Sequence, residues 1–218
     1  MTMTVEPERL FTERHRTYAR FIRWMRYRQG LRAAFLASPR LRSGLRILDA
    51  GCGTGALTLA VYDALHRRRL SHAVFHAFDL TPEMLAHFRA TLTRRGIQDV
   101  ELARANVLEL GALPEGWTDY DLIVSASMLE YVPRDRFVDA LRGLRARLRP
   151  DGHFILFITR RNPLMRLLIG VWWAAHLYSR AELRNAFRAA GFSEVAFRRF
   201  PAAGWHLAAW GHIVEARR

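Results

Sequence analysis

Lysine is absent: all 34 basic residues of this 218-residue chain are arginine. Set against 20 acidic residues, they give a formal charge of +14 at pH 7. Such a balance favours phosphate-rich partners and anionic membrane surfaces. Arginine-only usage beside abundant alanine also reads as a codon-composition bias, so the charge alone does not single out nucleic acid. Cysteine occurs once, at Cys52, which excludes an internal disulfide, and no Cys/His cluster suggests a metal. An apolar signal region is missing too. Residues 1–15 are polar and charged, and the expectation is a cytoplasmic protein. No uninterrupted apolar run reaches the roughly 20 residues of a membrane span. The nearest, residues 162–178 (NPLMRLLIGVWWAAHLY), is broken by Arg166 and His176. There are no internal repeats and no disordered linker, and the length suits one well-buried α/β domain.

What the chain does contain is RILDAGCGTGALTL at residues 46–59. A short apolar strand ends at Asp49. Gly51, Gly53 and Gly55 then permit tight turning and close ligand approach, and a helical pattern resumes at Ala56. A ligand over that turn meets bare backbone and a helix N-terminus. A dinucleotide site prefers G-x-G-x-x-G, but Ala56 stands where the third glycine would fall. Asp49 would repel a pyrophosphate and suits a ligand that carries positive charge.

The motif L-D-A-G-C-G-T-G resembles the first motif of the class I S-adenosylmethionine (SAM)-dependent methyltransferases. Further landmarks follow in order. A second apolar run at 73–78 closes at Asp79, an acid at a strand end that can accept two ribose hydroxyls. Asp79 also precedes Thr81-Pro82-Glu83, which reads as a helix cap followed by proline at the first helical position. Strands are expected at 100–104, 120–125 and 152–158, the last entered through Leu148-Arg149-Pro150-Asp151-Gly152, a turn familiar in the family. Helices are expected near 56–67, 82–95 and 134–148. The resemblance implies a Rossmann-like α/β fold: a mostly parallel sheet with an antiparallel C-terminal strand and helices on both faces. It also implies SAM as cofactor, held by Asp49, Gly51, Cys52, Gly53, Thr54, Gly55, Asp79, Leu80, Asn106, Val107 and Ser125. Many relatives have Asp where this chain has Asn106, and an amide still offers adenine a donor and an acceptor.

The chain is expected to divide into a helical lid or cap segment, residues 1–44, and the methyltransferase domain, 45–218. Within the first, residues 12–37 read as a helical region, with Phe21, Trp24, Leu31 and Phe35 in one stripe. That helix either packs on the sheet, closes over the pocket with Tyr18, Trp24 and Tyr27, or lies on an anionic membrane. Near the C-terminus, Ser179 caps a helix that Gly191 ends, and 193–200 and 206–216 read as an antiparallel pair.

Methyl transfer needs alignment first and a base only for weakly acidic nucleophiles. Relatives often read L-E-H-V after the fourth strand; here Met128-Leu129-Glu130-Tyr131-Val132 puts Tyr131 in the histidine position. Tyr131, His176 and His206 are the candidate catalytic residues, and His212 reads as a packed strand histidine. The acceptor is expected against Tyr18, Trp24, Met128, Tyr131, Trp172 and Trp173, a greasy set that favours a small hydrophobic molecule methylated at O or N. RNA methylated on ribose or a ring nitrogen is the rival substrate, kept alive by the charge. The N/D-P-P-Y/F element of base-amine methylation is missing, as is a spare cysteine for carbon-5 chemistry. A non-catalytic SAM-binding protein is a third reading, which the intact loop and both acids oppose.

Overall fold

The computed structural model describes residues 27–162 and 175–218. Tyr18, Trp24, Trp172 and Trp173 lie outside the described residues, as does most of the apolar 162–178 segment. The described elements are α1 (Tyr27–Leu36), β1 (Arg46–Ala50), α2 (Ala56–Arg67), β2 (Val74–Asp79), α3 (Pro82–Arg94) and β3 (Val100–Arg104). They continue with β4 (Tyr120–Ala126), α4 (Phe137–Arg147), β5 (Leu148–Thr159), α5 (Arg180–Ala189), β6 (Val195–Arg198) and β7 (Gly211–Arg217).

The strands form one sheet in the order β3-β2-β1-β4-β5-β7-β6. The first five are parallel, while β7 runs antiparallel between β5 and β6. Parallel strands are buried on both faces, and the pleat divides their side chains. Ile47, Phe75, Leu122, Val124 and Phe157 pack with Leu31 and Phe35 of α1 and Leu57 and Val61 of α2. Leu48, Ile123, Phe154, Leu156 and Val214 face the other way, onto Phe137 and Leu141 of α4 and Leu183 and Phe187 of α5. Phe88 of α3 packs beside Leu59 and Ala77. α1, α2 and α3 thus cover one face, and α4 and α5 the other.

The helix signals act as their chemistry requires. Ser179 accepts from the Glu182 amide while Glu182 reaches back to the Ser179 amide, a reciprocal cap. Gly191 takes the left-handed conformation after that helix, with φ +89.

Two expectations need correction. Residues 206–216 do not form one strand: Ala202–Ala209 is a 3₁₀ turn and β7 begins only at Gly211. Long-range packing sets that turn, because Gly204 lies directly against Gly30 of α1 and Leu207 is buried beneath it. β5 starts at Leu148 instead of 152; Leu148 pairs with Tyr120 before the register slips and Asp151 turns through φ +63.

Candidate active site

β1 and β4 are neighbours in the sheet, yet β1 leads by crossover to β2 on its other side. A crevice opens at such a switch, beyond the carboxyl ends of the strands. The glycine loop sits there. Gly51 N and Cys52 N both donate to Phe78 O at 2.9 Å, which anchors the loop to the end of β2. A Cβ on Gly51 would strike Met128, and one on Gly55 would strike the Phe88 ring. Gly53, at φ +51, faces open space: a Cβ added there would meet none of the described residues within 4 Å. The loop is therefore tightly backed on two sides and bare on the third, as a ligand cradle must be.

Asp49 is 1 % exposed. Its Oδ2 accepts from Thr58 N at 2.9 Å and Thr58 Oγ1 at 2.6 Å, in the first turn of α2. Its Oδ1 is buried and has no partner among the described residues. Burial pushes the carboxyl up to about 7, against the lowering effect of the two Thr58 bonds, and nearby Asp79 adds to the rise. A buried carboxyl with one orphaned oxygen is costly unless a cation or donor meets it. Asp79 Oδ2 accepts from Gly53 N at 2.7 Å and Oδ1 from Thr81 N at 2.9 Å. Burial raises its pKa, and these backbone bonds oppose the rise. The Thr81 hydroxyl and the Leu80 amide oppose the rise as well, so the carboxylate ties the glycine loop to the start of α3. Thr81 occupies the cap position of α3 without a side-chain cap bond, so Asp79 steadies that helix start as well.

The other expected cofactor residues occupy varied environments. Asn106 Oδ1 accepts from Leu108 N at 3.0 Å, leaving its NH₂ pointing elsewhere. Val107 and Cys52 are buried, Thr54 is exposed, and Leu80 is 37 % exposed. Cys52 is a packing residue whose thiol burial pushes well up. Ser125 is fully buried and donates to Ala50 O at 2.7 Å, so its hydroxyl joins β4 to the end of β1.

On the acceptor side, Met128 lies against Gly51, and Tyr131 is half-buried in the Leu129–Tyr131 turn. The His176 amide donates to Glu130 O at 2.7 Å, and burial, then Arg134, lowers the pKa of its ring. His206 sits on the 3₁₀ turn, half-buried. His212 is buried in β7, and burial, with Arg180 and Arg160, lowers it to about 4.

Sequence reasoning passed over Glu130, Ser127 and Thr159, while Tyr27 was expected in the pocket roof. Glu130 is 2 % exposed, and its two oxygens accept from Thr159 N at 2.9 Å and Thr159 Oγ1 at 3.0 Å. Burial raises it to about 7. It thereby fastens the turn after β4 to the end of β5. An acid inside an apolar stretch, Met128-Leu129-Glu130, was the available signal. Among the described residues no group of three or more His, Cys, Asp or Glu could hold a metal ion. Among them, too, no helix is long and apolar enough to cross a membrane.

Comparison with known proteins agrees with this geometry. A family model described as a methyltransferase domain matches residues 48–154. The chain is 28% identical over 173 residues to methyltransferase calH of Penicillium decumbens, covering 75% of this chain and 45% of that protein. It is 32% identical over 127 residues to the ubiquinone biosynthesis O-methyltransferase of Xanthomonas euvesicatoria pv. vesicatoria, covering 58% and 48% respectively. The chain thus spans less than half the length of these two relatives. Among solved structures, the mitomycin 7-O-methyltransferase MmcR superposes with a TM-score of 0.76 at 20% identity, covering 99% of this chain and 61% of that one. Strand order, glycine loop and sequence kinship point the same way, and the chain belongs to the class I SAM-dependent methyltransferases.

Proposed function

We propose that this protein transfers a methyl group from SAM to an oxygen of a small, hydrophobic acceptor. The observation that carries the reading is Asp49: a buried carboxyl with an unpartnered Oδ1, close to a glycine that faces open space. Such a site suits a ligand with cationic groups and no phosphate. Asp49 would hold the positive end of the cofactor, Asp79 the ribose hydroxyls and Asn106 the adenine edge. Bound there, SAM supplies a methyl group on a sulfonium, open to in-line displacement.

The chain's own part is to align and to exclude water. Alignment contributes on the order of 7–11 kcal/mol in favourable intramolecular reactions. Met128 backs the loop, while Glu130 holds the rims of β4 and β5 together so that an acceptor meets a fixed wall. Oxygen is favoured over nitrogen because both the Xanthomonas relative and the MmcR neighbour are named as O-methyltransferases. Contact with an anionic membrane would fit the +14 charge and a hydrophobic acceptor.

RNA is the second reading, favoured by the same charge. Salt separates the two. Phosphate-dominated binding loses about 10³–10⁵ between 50 and 200 mM salt, whereas a greasy acceptor binds almost independently of it. Labelled methyl transfer from SAM to a panel of lipophilic phenols is expected, with little change over that range. Transfer to bulk RNA with a steep salt slope, and none to phenols, reverses the ranking.

A further inference from the structure

Between the carboxyl ends of β4 and β5 and the start of β7 lies a cleft of about 40 Å³. Tyr27, Ser127, Phe157, Thr159, Phe200 and Trp210 are among its lining residues. Three rings give it apolar walls, and three hydroxyls give it polar points; none of these six side chains is charged. It adjoins the glycine loop, because Met128, the residue after Ser127, is the side chain that backs Gly51.

Tyr27 Oη and Ser127 Oγ are 3.2 Å apart, joined across 100 residues of sequence. Each hydroxyl carries one hydrogen, and the two share one hydrogen bond. One O–H hydrogen of the pair is therefore left with no acceptor among the described residues. Thr159 differs, since its hydroxyl already donates to Glu130. Both members of the pair are held firmly. Ser127 adopts a left-handed φ of +53 directly after β4 and is fixed by its amide donating to Phe157 O at 3.0 Å. Tyr27 sits on α1, whose Gly30 allows close approach to Gly204 and Leu207 of the 3₁₀ turn. Burial raises the Tyr27 phenol above its usual range, with Glu130 and Asp49 adding to the rise against the Ser127 bond. It stays protonated at neutral pH, a donor and not a base.

We infer that the Tyr27–Ser127 pair docks the acceptor through an oxygen, and that the acceptor is a planar hydroxyl compound, a phenol or enol. Its ring edge enters between Phe157, Phe200 and Trp210. The volume admits the oxygen-bearing corner of a ring, a few water-sized spheres, and leaves the rest of the molecule outside. This deepens the methyltransferase reading and rests on it.

The test compares 2-naphthol with naphthalene, which has the same ring system and lacks the hydroxyl, by equilibrium binding to the whole chain. Removing either hydroxyl alone leaves the other with its hydrogen, so the decisive variant is double: Tyr27→Phe with Ser127→Gly. Glycine suits the positive φ at that position. Wild type is expected to prefer naphthol about tenfold, the scale of one hydrogen bond, and the double variant to bind the two about equally. Ser127→Gly alone retains part of the preference. No naphthol binding, no preference in wild type, or a preference that survives in the double variant each overturns the proposal. SAM titration of both proteins runs beside it. Failure of SAM to bind wild type defeats the methyltransferase reading itself, whatever the naphthol ratio shows.

Discussion

Gly53→Arg abolishes SAM binding, a loss of at least about 100-fold by calorimetry, while the protein stays folded. A Cβ at this position meets none of the described residues within 4 Å, so at its root the substitution bears only the left-handed backbone strain of φ +51. That strain costs roughly 1–2 kcal/mol for a non-glycine residue. The guanidinium then occupies the space over the loop and presents its own cation to Asp49 and Asp79. Two residues further on, the same kind of change behaves differently. Gly55→Ala drives a methyl group into the Phe88 ring at φ +83, and the expected result is a loss of stability of a few kcal/mol. The contrast separates a glycine kept for a ligand from one kept for packing. Circular dichroism melts and calorimetry on both variants read it directly. SAM affinity within about threefold of wild type in Gly53→Arg contradicts the placement of the cofactor.

Asp49→Asn makes the ligand-free protein more stable at neutral pH and weakens its SAM binding. The folded Asp49 carboxyl titrates at about 7, against an ordinary value of 3.8. An unfolded chain gives up this proton first as pH rises. The contribution of Asp49 to stability is therefore complete below about pH 4 and is lost as pH climbs to about 7. The cause is burial of a charge with an orphaned Oδ1. Asparagine keeps an oxygen for the Thr58 bonds and carries no charge to desolvate. Urea unfolding at pH 5 and pH 8 should show the variant gaining on wild type as pH rises, by a few kcal/mol at most. Binding should fall more than tenfold, because a cationic ligand loses its counter-charge. Stability given up at a functional site is a common pattern. A gap between variant and wild type that does not change with pH contradicts the assignment.

Local chemistry made much of the frame readable. β3 and α2 fall at 100–104 and 56–67, as their apolar patterns and bounding glycines imply. The Ser179 cap is equally local, needing only Glu182 three residues on. The loop acids were legible because Asp49 and Asp79 close apolar runs next to glycine or a helix cap. What escaped depends on contacts between distant residues. Residues 202–209, with alanine, glycine and tryptophan in no alternating pattern, take their 3₁₀ form from Gly30, far earlier in the chain. The bond from the Ser125 hydroxyl to the Ala50 carbonyl joins two strands that lie 75 residues apart in sequence. The Tyr27–Ser127 pair has no signature in either segment alone. Glu130 shows its role only when Thr159 arrives from the next strand.

Methyl transfer by this protein requires the loop between β1 and α2 to bind SAM. Titrating the purified protein with SAM and, separately, with NADH decides that point. The expected result is saturable binding of SAM and none of NADH, since Asp49 repels a pyrophosphate and Ala56 stands where the dinucleotide fingerprint has its third glycine. Binding of NADH with indifference to SAM would mean that the loop serves a different cofactor.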